Sequence, residues 1–251
     1  TPAIRALAEK GTTFENAFSN AGRTYGSLIS MLTGKLPTQT HILFTPVYLT
    51  GRDAVEHAPG LLRARGYTTA QIGMRHYNDA DDWNMRGAFD LVNGRQQRKL
   101  QPDRSESLER LQRYQNHLLE RVAGRFRHLL FVRKLEDAHS FLVLKGKRSP
   151  YFEDERRIRM AEAFLQARRE PWLLLIHLVD THCCSEDREE RIRLADRNVG
   201  RLVRFLRDTG QLERTAILVY SDHTPRWGTL GRIPMILVVP GEAGGESVAT
   251  N

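Results

Sequence analysis

Asp222 and His223 follow an apolar run at residues 215–220, with Ser221 between. A carboxylate and an imidazole leaving the tip of a buried strand form a donor pair for a hard or borderline divalent ion. The same pair also serves to cap a turn. Asp180, Thr181 and His182 follow a second apolar run, residues 172–179, in the same way. His177, Asp180 and His182 invite a metal reading too, but His177 lies inside the run and reads as a core histidine. His182 lies beyond it, where it can donate to an anion or a leaving group. Thr24 precedes an apolar helix, in a turn where backbone N–H groups and the helix dipole favour an anion. A hydroxyl there, near a metal, is placed to attack phosphorus or sulfur. Ser27 offers a second hydroxyl one turn on, and either residue also suits an ordinary N-cap. His76 follows the strand-like stretch 68–72; on local grounds it reads as a surface histidine.

These residues need a scaffold, and the hydrophobic pattern supplies one. Pro2 opens a short helix with Ile4, Leu7 and Ala8 on one face, ended by Gly11, and a strand-like run begins at Thr12. Leu28, Ile29, Met31 and Leu32 mark the helix after Thr24, stopped by Gly34 and Pro37. Residues 59–65 read as a helix and 68–72 as a short buried strand. Residues 172–179 read as a strand buried on both faces. An amphipathic helix over 188–206, capped by Gly210, turns Ile192, Ala195, Val199, Leu202, Val203 and Leu206 inward. Strands over 215–220 and 233–239 follow. Strand, helix and strand with short connections predict a right-handed parallel crossover. The fold class expected is a three-layer α/β/α arrangement with a mostly parallel central sheet, whose chemistry sits at the C-terminal ends of the strands. Residues 95–169 break this pattern. They are rich in Arg, Gln and Glu, with Leu108, Leu111, Leu118, Leu119 and Val122 at helical spacing, and read as a helical insertion in a single domain spanning 1–251.

The chain has 251 residues, 40% hydrophobic and 27% charged, enough for one large packed domain. No apolar run approaches the roughly 18–20 residues of a membrane span. Cys183 and Cys184 are adjacent and exclude a disulfide-stapled scaffold. The balance is basic, with a net charge of +8, which favours anionic partners: an acidic lipid surface, nucleic acid, or a sulfated or phosphorylated substrate. No zinc-finger spacing or RNA-binding box gives nucleic acid specific support. Membrane association has no support beyond charge and the basic face of the insertion. No signal-peptide pattern opens the chain, which begins with Thr1, and the compartment stays open.

Taken in order, the motifs resemble the sulfatase branch of the alkaline phosphatase superfamily. T-P-A-I-R-A-L-A-E-K-G-T-T-F-E-N-A-F-S-N looks like that family's opening helix and strand, and T-Y-G-S-L-I-S-M-L-T-G-K-L-P like its nucleophile helix. L-L-R-A-R-G-Y-T-T-A-Q-I-G-M-R-H is similar to the segment that ends in Gly-Lys-Trp-His, and G-A-F-D-L-V-N-G to its Gly-Phe-Asp turn. P-W-L-L-L-I-H-L-V-D-T-H, A-D-R-N-V-G-R-L, T-A-I-L-V-Y-S-D-H and R-I-P-M-I-L-V-V-P-G complete the series, which skips roughly residues 95–157.

The resemblance implies a metal-dependent hydrolase of a sulfate or phosphate ester, with a divalent ion (Ca, or Mn, Zn or Mg) as cofactor. It places the nucleophile on Thr24, also at the metal, and metal ligands on Asp222 and His223. It places contacts to the ester, or protonation of its leaving group, on His76 and His182, and leaves Ser27 and Arg226 to bind substrate. The departures point elsewhere in the superfamily. Threonine is not a precursor of formylglycine, and is the nucleophile of the related phosphoethanolamine and phosphoglycerol transferases. The family's signature Pro and Arg fall on Gly26 and Leu28, and its anion-binding lysine on Met74. Those losses would also suit a non-catalytic member. The strand that carries the family's paired acidic ligands is expected just upstream of Thr1.

Overall fold

The computed structural model describes residues 2–43, 47–74, 78–85, 87–96, 122, 154–167, 171–182, 187–224, 229–242 and 244–249. Residues 1–97 and 152–251 make one compact unit, and residues 98–151 a second. The helices read from Leu108 to Leu119 fall in that second unit and lie outside the described residues.

In the first unit the helices are α1 (Pro2–Lys10), α2 (Thr24–Thr33), α3 (Pro37–Thr40), α4 (Ala58–Ala64), α5 (Asp154–Ala167) and α6 (Arg188–Asp208). The strands are β1 (Thr12–Phe14), β2 (Thr68–Ile72), β3 (Leu91–Val92), β4 (Arg95–Gln96), β5 (Trp172–Ile176), β6 (Ile217–Tyr220), β7 (Met235–Val238) and β8 (Glu246–Val248). Thus β4 and α5, from the two ends of the stretch read as an insertion, belong to the unit that holds the strands.

The strands form two four-stranded sheets, in the orders β6-β7-β1-β8 and β4-β3-β2-β5. Both share the same flanking layers. On one face Leu173, Leu175 and Tyr220 pack against a core of Tyr25, Leu28, Ile29 and Leu32 from α2, with Trp83 and Phe89. On the other, Trp172, Leu174 and Ile217 pack against Phe164 and Leu165 of α5 and Leu206 of α6. The alternation along β5 is the period-two pattern of a strand with an apolar layer on each side.

The pairings depart from a mostly parallel sheet. β2 is parallel to β3 and β5, and β1 to β8. β1–β7, β3–β4 and β6–β7 are antiparallel. β6 reaches β7 through residues 221–234 with no described helix between them, so the chain returns alongside itself. β5 and β6, the two strands joined by α6, stand at the edges of different sheets, so the crossover does not pair them. Among the described residues no strand lies between them. As end strands among the described residues, β5 is half-buried where the run is expected to be buried on both faces, and Leu218 of β6 is 43% exposed.

α2 carries the site, so its ends matter. Its C-terminus closes on Gly34 in the left-handed region at φ 67°, which glycine adopts without the Cβ penalty. Gly26 permits a close approach: a Cβ there would stand 3.0 Å from the Leu43 carbonyl oxygen and 3.1 Å from Ala21 Cβ. The position that holds proline in the family signature is therefore filled by a residue that lets α2 nest against 42–43.

Candidate functional site

Three elements converge at one end of the sheets. Thr24 is the first residue of α2, whose N-cap, Arg23, makes no side-chain capping bond. Asp222 and His223 leave β6, and His182 ends the turn after β5. Thr24 Oγ1 lies 3.3 Å from His223 Nε2, across 199 residues of sequence. The imidazole is held from its other side, where Nδ1 lies 2.8 Å from the Thr224 carbonyl. A carbonyl only accepts, so Nδ1 carries the proton and Nε2 presents its lone pair toward Thr24. Asp222 Oδ2 lies 3.5 Å from that same Nε2, and it is buried without a hydrogen bond. A buried carboxylate oxygen with no hydrogen bond, facing an imidazole nitrogen, leaves room for a positively charged or proton-bearing partner.

Local bonds fix this geometry. Ser27 Oγ donates to the Asp222 carbonyl at 2.6 Å, and Ser221 Oγ to the His223 carbonyl at 2.8 Å. Ser27, expected at the substrate, is thus engaged in tying α2 to the strand end. The His182 and His223 rings stand edge to face with centroids 6.4 Å apart. Tyr220 lies just below; burial raises its pKa and keeps it a neutral phenol. Burial also pushes His177 down, against the pull of Asp222 in the other direction, so this imidazole is neutral. Met74, on the position of the anion-binding lysine, is 8% exposed and supplies no charge. His76 and Arg226, both expected at the substrate, lie outside the described residues, as do Cys183 and Cys184.

A buried polar knot lies beneath the β5 turn, and no sequence motif announces it. Asp180 Oδ2 accepts from Asn198 Nδ2 at 2.7 Å, and its carboxyl is hydrogen-bonded to that of Asp154. Burial, then the Asp154 charge, push Asp180 from 3.8 up to about 6. A raised folded-state value means the folded chain holds a proton that the unfolded chain releases. Its stabilisation is complete below 3.8 and is lost as pH rises through about 6. Asp180→Asn mimics the protonated form, since its amide oxygen accepts from Asn198 and its NH2 donates to Asp154. We expect thermal melts at pH 5 and pH 8 to converge in this variant relative to the wild type; an unchanged pH dependence would remove Asp180 as the source.

The donor set is one carboxylate, one imidazole and one hydroxyl. Among the described residues no group of three or more His, Cys, Asp and Glu side chains has metal-site geometry. The buried, unbonded Oδ2 and the nearby Nε2 are donor types that a divalent cation accepts.

Several solved structures share the fold. Ps i-CgsB, solved in complex with k-i-k-neocarrahexaose, superposes with a TM-score of 0.62 at 19% identity, over 99% of this chain and 62% of its own. The phosphonate monoester hydrolase of Agrobacterium radiobacter gives 0.60 at 16% identity, over 99% of this chain and 65% of its own. The PsFucS1 sulfatase from Pseudoalteromonas sp. gives 0.59 at 20% identity, over 98% and 58%. The chain therefore spans about three fifths of the length of these structures and shares their fold. No curated protein matches it significantly. The sulfatase family model matches residues 1–236, and members of that family are generally dependent on a divalent metal. With that match covering nearly the whole chain, in the motif order set out above, the protein belongs to the sulfatase family.

Proposed function

We propose that the protein is a metal-dependent enzyme that transfers a phosphoryl or sulfuryl group from an anionic ester, with Thr24 as nucleophile. The observation that carries this reading is the meeting of Thr24 Oγ1, His223 Nε2 and the unbonded Asp222 Oδ2 at the positive end of α2. Asp222 and His223 would hold the ion, with Thr24 beside it. A bound divalent cation, Ca or Mn, Zn or Mg, supplies charge neutralisation for the transferring group and a more acidic nucleophile.

The chain's own residues do the rest. Thr24 Oγ1 loses its proton to solvent and forms a bond to phosphorus or sulfur as the bond from that centre to the ester oxygen breaks. His182, at the exposed end of its turn, supplies a proton to that departing oxygen. A second acceptor then takes the group from Thr24, and water makes the protein a hydrolase where an alcohol makes it a transferase. An unconverted threonine favours phosphorus as the centre attacked. His76 and Arg226 complete the substrate contacts in this reading. The neighbouring structures name a phosphonate monoester hydrolase and sulfatases, which supports an anionic ester as substrate.

Removing the metal tests this. Dialysis against a chelator should take turnover of 4-nitrophenyl phosphate and sulfate to background, and Ca, Mn, Zn or Mg should restore it. Asp222→Asn should weaken metal affinity at least about tenfold by direct binding measurement. Undiminished turnover by metal-free protein would end the metal-dependent reading. A second reading, a non-catalytic family member, is favoured by the apolar Met74 and Leu28. It expects metal binding without turnover of either ester.

A further inference from the structure

The carboxylate that organises the turn after β5 comes from another element. Asp154 is the first residue of α5 and is 1% exposed. Its Oδ2 accepts the backbone N–H of Val179 and that of Asp180, each at 2.7 Å. Its Oδ1 is paired with Arg157, itself buried, whose Nε donates to the Gly73 carbonyl at 3.3 Å, just past the end of β2. The Val179 carbonyl in turn accepts the His182 N–H at 2.9 Å. One buried anion therefore holds the residue that closes the turn on which His182 stands. It also ties that turn to the end of the neighbouring strand.

We propose that Asp154 is a positioning residue for His182: it sets where the imidazole stands relative to His223 and Thr24, and so governs proton delivery to the leaving group. The inference rests on the ester-transfer reading above. A carboxylate suits the task because it accepts both N–H groups on one oxygen while the other meets the guanidinium. In Asp154→Asn an NH2 group must face either Arg157 or the two N–H groups. Donor meets donor in both cases, and the turn shifts.

The readout is a ratio that folded fraction does not move. An alkoxide needs a proton to leave and a 4-nitrophenolate does not. The ratio of kcat/KM for the alkyl ester to that for the 4-nitrophenyl ester of the same acid thus reports proton delivery per active molecule. We expect His182→Ala to lower it about 100-fold and Asp154→Asn at least about tenfold. Asp154→Asn added to His182→Ala should lower it no further, since the two act through one group. A fall in His182→Ala with a ratio within about twofold of wild type in Asp154→Asn would overturn this inference alone. So would an equal further fall in the double variant. A ratio unchanged by His182→Ala, or a wild-type protein that cleaves neither ester, would overturn the reading of the site and this inference with it.

Discussion

Thr24→Ala should abolish ester turnover while leaving the protein folded. Among the described residues the side chain touches one polar group, the His223 ring at 3.3 Å, so its loss removes chemistry rather than structure. With no second hydroxyl at that point, the covalent route is closed. Ser27, one turn on, is buried and committed to the Asp222 carbonyl, so it offers no replacement. The expected fall is about a thousandfold or more, the scale seen when a nucleophile acting as part of a unit is removed. Thr24→Ser keeps an oxygen and should retain activity within about tenfold. The covalent step has a direct signature. Quenched during turnover, the protein should carry the phosphoryl or sulfuryl group on the tryptic peptide 24–35, detectable by mass. Full activity in Thr24→Ala would remove the threonine from the role.

Leu28→Arg should unfold most of the protein. This substitution restores the arginine of the family signature, but Leu28 is 1% exposed and packs in the core with Tyr25, Ile29, Trp83 and Phe89. An unpaired guanidinium there costs about 3–5 kcal/mol, against a total stability of about 5–15 kcal/mol for an ordinary domain. The loss of Leu28's own burial, about 1.5–3 kcal/mol, adds to it. Circular dichroism should show a melting temperature lowered by ten degrees or more, about what such an energy implies. An unchanged melting temperature would mean that the core at α2 opens to admit the charge. The arginine position has thus become a packing position, and whatever anion contact it makes elsewhere in the family must come from other groups here.

Local patterning made the elements legible. Leu28, Ile29 and Leu32 at helical spacing with Gly34 behind them mark α2, and the apolar runs mark β5, β6 and β7, each run overshooting its strand by two or three residues. Sheet order was less legible, because strand pairing is decided between residues far apart in sequence. β5 and β6, which flank α6, do not pair with each other, and β6 pairs antiparallel with β7. Thr24 and His223 meet across the whole chain, so spacing alone left both as ordinary caps; only the ordered resemblance joined them. Asp154 was illegible for a further reason. It lies in a stretch crowded with charge, where nothing separates the one carboxylate that enters the interior from the many that face water. Its signature is the backbone N–H groups it receives, which sequence does not display.

Among the described residues β5 and β6 each stand at the end of a sheet, with one margin unpaired and leucine and isoleucine side chains beside it. Such bare margins act as templates. Any extended segment of matching apolar character, from another copy or from a foreign polypeptide, gains hydrogen bonds and sheds water by lying against them. Self-association in concentrated solution is the expected outcome, and light scattering across a dilution series would read it.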